Sequence, residues 1–227
     1  MPDLLFSFFH SCIGCSIHLY FEVVRLEHMA NHITLRGTLA CLPQYSHENH
    51  GRRFFRFFLE VPRLSGAVDT LPVIAEEEIL NAADLSDGEM LTIAGQVRSH
   101  NVRSDGRRHL LIFVFANAII CEDGEPLNDV ILEGPICREP TYRRTPLGRE
   151  ICDVMLAVPR AFKRADYLPC ILWGRTALDA SRCHTRDVLR ICGRLQSRIY
   201  TKITEAGSEE RTAYEISALT AEIPDDT

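Results

Sequence analysis

The chain has 227 residues, 46% of them hydrophobic, and a formal charge of −6 from 25 basic and 31 acidic residues. That length allows one large core or two small ones, and that sign excludes a protein whose whole surface attracts phosphate while leaving room for a local basic face. Nine scattered cysteines, with only Cys12 and Cys15 spaced as C-x-x-C, argue against a disulfide framework or a paired-motif zinc site and fit a reduced cytoplasm.

In chain order, the apolar run Leu4 to Phe9 follows Asp3 without the positive flank of a secretory signal, and it is too short to span a bilayer. The fold is expected to begin near Met29. Residues 1–28 read as an extension outside it, or as a short strand or helix capping the first domain.

From there the chain repeats itself. Asn31-His-Ile-Thr-Leu-Arg-Gly37 matches Asn128-Asp-Val-Ile-Leu-Glu-Gly134 at an offset of 97. The same offset maps Leu59, Val61, Pro62 and Arg63 onto Leu156, Val158, Pro159 and Arg160, and Asp69, Leu71 and Pro72 onto Asp166, Leu168 and Pro169. One residue further on, Leu91-Thr-Ile-Ala-Gly95 meets Leu189-Arg-Ile-Cys-Gly193, and Ser99 meets Ser197. Two copies are therefore expected over residues 29–121 and 128–227, joined by an acidic Gly- and Pro-containing linker at residues 122–127. The second copy is the more basic, with 15 cations and 15 anions against 9 and 13 in residues 29–127.

Within a copy the apolar period is two. Val130, Leu132, Gly134 and Ile136 alternate, as do Cys152, Val154, Leu156 and Val158, and then Leu168, Cys170 and Leu172. Tyr142 to Gly148 carries turn residues, Thr176 to Ala180 reads as one helical turn, and residues 188–198 and 211–219 pair across a glycine-containing tip. Cys41, Cys121, Cys137, Cys152, Cys170 and Cys192 are expected as small core residues. The pattern is all-β: two tandem five-stranded Greek-key barrels.

The second copy resembles the bacterial single-stranded-DNA-binding protein family. The residues that carry the likeness are Asn128-x-Val-x-Leu-x-Gly134, the turn Pro140-x-x-Arg143-x-Thr145-Pro-x-Gly148, Leu156-Ala-Val-x-Arg160, Asp166 through Trp173-Gly-Arg-x-Ala177, and Gly193-Arg-Leu-Gln-Ser-Arg198-x-Tyr200. The resemblance implies an OB-fold barrel that binds single strands in a sequence-tolerant way, with no enzyme activity and no cofactor. It places base-stacking rings at Trp173, Tyr200 and Tyr167, with Phe162 in a loop where a further aromatic is common. Candidate phosphate contacts are Arg143, Arg144, Arg160, Lys163, Arg164, Arg175, Arg194, Arg198 and Lys202. Arginine suits this work because its planar fork pairs with phosphate oxygens and stacks on bases.

Carried back by the offset, Phe162, Tyr167, Trp173, Arg175 and Tyr200 become Ser65, Thr70, Glu76, Glu78 and Val102. The first copy is thus expected to keep the scaffold, lose the rings, and repel phosphate through Glu76-Glu-Glu78. Its run Phe54-Phe-Arg-Phe-Phe58 sends Phe54 and Phe58 to one face and Phe55 and Phe57 to the other. The first pair is a candidate interface patch. The resemblance further implies four barrels per assembly, hence a homodimer, and a role in replication, recombination or repair in the cytoplasm, associated with the nucleoid. The alternative is an interaction or primosome-accessory protein with weak DNA binding. The chain ends without the family's usual long tail, which leaves recruitment of replication or repair proteins open. His47-Glu-Asn-His50 reads as a solvated polar turn.

Overall fold

A computed structural model of the chain describes residues 30–83, 85–104, 107–204 and 207–224, apart from the side chains of Ser104, Arg107, Arg108, Lys202 and Thr204. Both readings of residues 1–28 lie outside the described part. Alternating apolar residues have one low-energy arrangement here, strands closed on themselves so that no long hydrophobic edge is left open. The first copy supplies β1 (Asn31–Leu39), β2 (Gln44–Asn49), β3 (Arg52–Pro62), β4 (Val68–Glu76), helix α1 (Glu77–Ala83), β5 (Met90–Ser104) and β6 (Arg107–Cys121). The second supplies β7 (Leu127–Pro135), β8 (Thr141–Arg144), β9 (Glu150–Arg160), a 3₁₀ turn (Ala161–Lys163), β10 (Arg164–Trp173), helix α2 (Gly174–Ala180), β11 (Val188–Thr204) and β12 (Gly207–Glu222).

Each copy closes in the same order. In the first, β3-β4-β6-β5-β1 returns to β3 through Thr38–Glu60 and Leu39–Leu59. In the second, β9-β10-β12-β11-β7 returns through the bridge Ile136–Leu156. Two landmarks of the repeat sit at these seams: a Cβ on Gly37 would lie 2.3 Å from the Glu60 carbonyl oxygen, and one on Gly134 2.7 Å from that of Ala157. Only glycine lets the strands cross so closely. The inward sets Ile33, Leu35, Phe57, Leu59 and Val130, Leu132, Leu156, Leu168 fill the two barrels.

Some local expectations change. The turn before β9 is shorter than expected, because Thr141–Arg144 form an exposed strand, and the last hairpin is longer, with pairing from Arg190–Glu222 out to Thr204–Gly207. His47 is strand, not turn. Cys137 is exposed at a loop, whereas Cys152 and Cys170 are buried; burial pushes both thiols up, that of Cys152 to about 11, which keeps them protonated.

The two barrels are joined into one sheet. β1 pairs antiparallel with β7 from Asn31–Leu132 to Arg36–Leu127, so the strands that open each copy lie side by side. Flanking that seam are two related clasps. The buried Asp69 carboxylate accepts Arg63 Nε at 2.6 Å and Arg63 Nη2, and from the other copy Ser197 N at 2.6 Å and Ser197 Oγ at 3.0 Å. The buried Asp166 carboxylate accepts Ser99 N of the first copy at 2.8 Å, Arg98 Nη1 at 3.1 Å and Arg160 Nη1 at 3.3 Å. Tyr167 N also donates to Ser99 Oγ at 2.8 Å. Asp69 and Asp166, Arg63 and Arg160, and Ser99 and Ser197 are the matched landmarks of the repeat. Duplication has built an internal pseudo-twofold.

Candidate nucleic-acid interface

Strand register decides which side chains share the outward face of the second barrel. Paired residues lie on one face of a sheet. The pairs Arg143–Ile151, Ile151–Trp173, Ala157–Tyr167, Ile171–Ser217, Ser217–Arg194, Gln196–Glu215 and Arg211–Tyr200 connect strands β8 to β12 through that face. Trp173, Tyr167, Arg143, Arg194, Arg198 and Tyr200 thereby share one face, on which Arg143 is also paired with Asp153 at 2.7 Å. Trp173 is 37% exposed, and its Nε1 donates to Ser217 Oγ at 3.2 Å, which holds the indole on the surface instead of in the barrel. The Arg198 guanidinium lies over the Tyr200 ring at 5.7 Å, a cation–π contact, and Tyr200 remains 38% exposed.

Phe162 is presented by strain. It and Lys163 adopt φ of 60° and 54°, left-handed backbone that non-glycine residues rarely take, and the ring is 92% exposed. The first copy turns at the corresponding place with Gly66 at φ 84°. Two consecutive left-handed residues cost of order 1–3 kcal/mol each.

The other candidates separate. Arg160 belongs to the Asp166 clasp, so its first partner is a buried carboxylate. Arg144 alternates to the side opposite Arg143 and pairs with Glu150 at 3.1 Å, while Arg175 pairs with Asp179 along α2 at 3.2 Å. Arg164 lies at the barrel end with Arg160, and Lys163 is exposed in the turn. The Lys202 side chain lies outside the described residues. Arg194 is half-buried with its Nε lacking a partner among the described residues. Glu215, which sequence reasoning missed, sits buried in the middle of the face; it accepts Gln196 Nε2 at 2.9 Å and approaches Arg198 Nε at 3.6 Å.

Residues 127–223 match the model of the single-strand binding protein family. Over 80 residues the chain is 38% identical to single-stranded DNA-binding protein B of Bacillus subtilis (strain 168), spanning 32% of this chain and 71% of that protein. The chain belongs to the single-strand binding protein family. Single-stranded DNA-binding protein 1 of Staphylococcus aureus (strain COL) is 36% identical over 81 residues, 33% of this chain and 48% of that protein, and most of the matched relatives are likewise covered over about half their length. The wild-type single-stranded DNA binding protein of Thermus aquaticus superposes with a TM-score of 0.71 at 24% identity, over 87% of this chain and 94% of that one. Because that match covers both copies at once, the tandem OB-fold architecture is the fold of the whole described chain. A deletion mutant of the same Thermus protein gives 0.69 at 25% identity, over 87% and 95%.

Set beside this family member's second barrel, the first differs from expectation. Glu76 and Glu77 do not form an unshielded acidic face: Arg52 and Arg53 bind them at 2.5 Å each. Phe54 is not exposed; only 8% accessible, it lies under His47, stacked at 4.9 Å, and beside Phe115 at 6.0 Å. Phe58 is half-buried. At the register positions where the second barrel has Glu215 and Ser217, the first has Phe113 and Phe115, since Ile74–Phe115 is the counterpart of Ile171–Ser217. The rings absent from the family's positions are replaced by others on the same face.

Proposed function

We propose that this protein is a sequence-tolerant coat for single-stranded DNA, acting through the outward face of the second barrel and without catalysis. The observation that carries the reading is the common face of Trp173, Tyr167 and Tyr200 interleaved with Arg143, Arg194 and Arg198. Rings stack on bases of any identity at about 1–3 kcal/mol each, and arginines take the phosphates. The relatives' names point the same way. The chain's overall negative charge does not oppose it, because the second copy carries 15 cations against 15 anions and the acid excess lies before it, mostly in residues 1–28 and in the linker at residues 122–127. The wider reading extends the four-barrel assembly of the family to a homodimer of this chain, serving replication, recombination or repair.

The test is direct because Trp173 is the only tryptophan. Titration with oligo-dT quenches its fluorescence, duplex of equal length does not, and the affinity falls as salt rises with a slope of about 0.7 per phosphate contacted. Absence of quenching with tight binding by another readout moves the site off this face; absence of binding overturns the function.

A further inference from the structure

Tyr167 lies in β10, and β9 covers one edge of that strand through the pair Tyr167–Ala157. Along its other edge β10 pairs with β12 at Cys170–Ile216 and Ile171–Ser217, which lie beyond Tyr167. Before that pairing begins, a backbone N–H on this edge needs another acceptor. At Tyr167 the acceptor comes from the first barrel, because the Tyr167 N–H donates to Ser99 Oγ at 2.8 Å. The preceding residue is held from the same place: the buried Asp166 carboxylate accepts Ser99 N at 2.8 Å and Arg98 Nη1 at 3.1 Å. Two consecutive residues of β10 are thus fixed by one stretch of β5. Their side chains alternate, so Asp166 is fully buried while the Tyr167 ring, 45% exposed, stands on the outward face.

The matched clasp is built differently. At the position related to Ser99 by the repeat, Ser197 bonds Asp69 twice, through N at 2.6 Å and Oγ at 3.0 Å. Its hydroxyl is directed to the carboxylate, whereas the hydroxyl of Ser99 receives the next backbone N–H. In the first barrel the residue after the clasp carboxylate is Thr70, which carries no ring. The clasp whose serine reaches forward is the one followed by an exposed aromatic.

We infer that Ser99 is a positioning residue for Tyr167, so that the barrel without the family's rings sets the direction of a ring in the barrel that has them. The inference rests on the single-stranded-DNA reading of the outward face and deepens it, since Ser99 acts through Tyr167 and not by touching the strand. Stacking favours particular offsets and tilts between flat rings, and the direction of a strand side chain follows its backbone. Without its acceptor the Tyr167 N–H turns to water, and the ring loses the fixed direction that stacking needs.

The test uses full-chain variants titrated with oligo-dT, followed by Trp173 quenching and by anisotropy of a labelled oligomer, with thermal melts alongside. Ser99→Ala removes the acceptor and keeps the backbone bond to Asp166; Ser197→Ala removes the matched hydroxyl and serves as the control for stability. Tyr167→Ala is expected to weaken binding about tenfold and Ser99→Ala about three- to fivefold, with Ser197→Ala and the hydroxyl-bearing Ser99→Thr within about twofold of wild type. In the Tyr167→Ala background, Ser99→Ala is expected to cause no further loss, because its effect passes through the ring. Wild-type affinity in Ser99→Ala, or an equal loss from it with and without the Tyr167 ring, overturns the positioning role and leaves the outward-face reading intact. Wild-type affinity in Tyr167→Ala removes that ring from the outward-face reading, and the positioning role with it.

Discussion

Replacing Asp69 by alanine tests whether the clasps hold the two barrels in register. Asp69 is fully buried and accepts four donors, two from Arg63 and two from Ser197 of the other copy. Its loss strands the Ser197 N–H between the copies, at about 1–3 kcal/mol, and leaves the Arg63 guanidinium without its carboxylate. Breaking a buried pair costs about 3–5 kcal/mol; because the Arg63 side chain is 20% exposed and regains some water, the lower end, about 3 kcal/mol, applies. With a urea slope of about 2 kcal/mol/M, the unfolding midpoint falls by about 1.5 M. Far-ultraviolet circular dichroism reports every strand and Trp173 fluorescence reports the second barrel alone, so the pair of probes also shows whether the barrels separate before they melt. The control is Asp153→Ala, which removes an exposed pair with Arg143 at 2.7 Å and costs at most about 1 kcal/mol. A midpoint for Asp69→Ala no lower than that of Asp153→Ala refutes the clasp.

The same group predicts a pH dependence. Burial raises the Asp69 carboxyl most strongly, but the bonds from Arg63 and Ser197 together outweigh it and hold the pKa below the ordinary carboxylate range. The folded value is therefore lower than the unfolded one. Its stabilisation is complete above about pH 4 and is lost as pH falls through the depressed value. The difference in Tm between wild type and Asp69→Asn should be largest near neutrality and shrink below pH 4; a constant difference contradicts the assignment. Phe162→Gly removes an exposed ring at a left-handed position, so stability should hold or rise by about 1 kcal/mol while single-strand affinity falls about fivefold or more, read by thermal melts and titration. Glu215→Gln removes the buried carboxylate beside Arg198 on the outward face and releases that arginine, so binding should tighten a few-fold at low salt, and the salt slope should steepen. Weaker binding in that variant would mean that Glu215 positions Arg198 instead of restraining it.

Much of this protein is legible in its sequence. Period-two alternation sorted inward from outward residues, because a pleated strand allows no other phase, and it put Trp173 outside the barrel while Leu168, Cys170 and Leu172 went in. The repeat exposed two barrels of the same order. It also exposed Asp69 with Asp166 and Ser99 with Ser197 as matched positions, but without a role, since each carboxylate's partner serine lies in the other copy and no local spacing encodes a contact over 128 residues. Arg160 differs, because its carboxylate partner Asp166 is only six residues away across the β9–β10 turn, a local pairing that the sequence contains but residue type alone does not reveal. The first barrel's outward rings had a signal that position-by-position comparison passed over, the unbroken apolar run Leu110 to Phe115, which marks a strand apolar on both faces. The sequence alone determined the strands, their faces and the duplication, all of which follow from local stereochemistry and burial. Only the tertiary structure decided which arginines neutralise buried acids and which do not, because charge pairing depends on distances through space, set when strands pair within each barrel and, for Arg98 and Asp166, when the two barrels join.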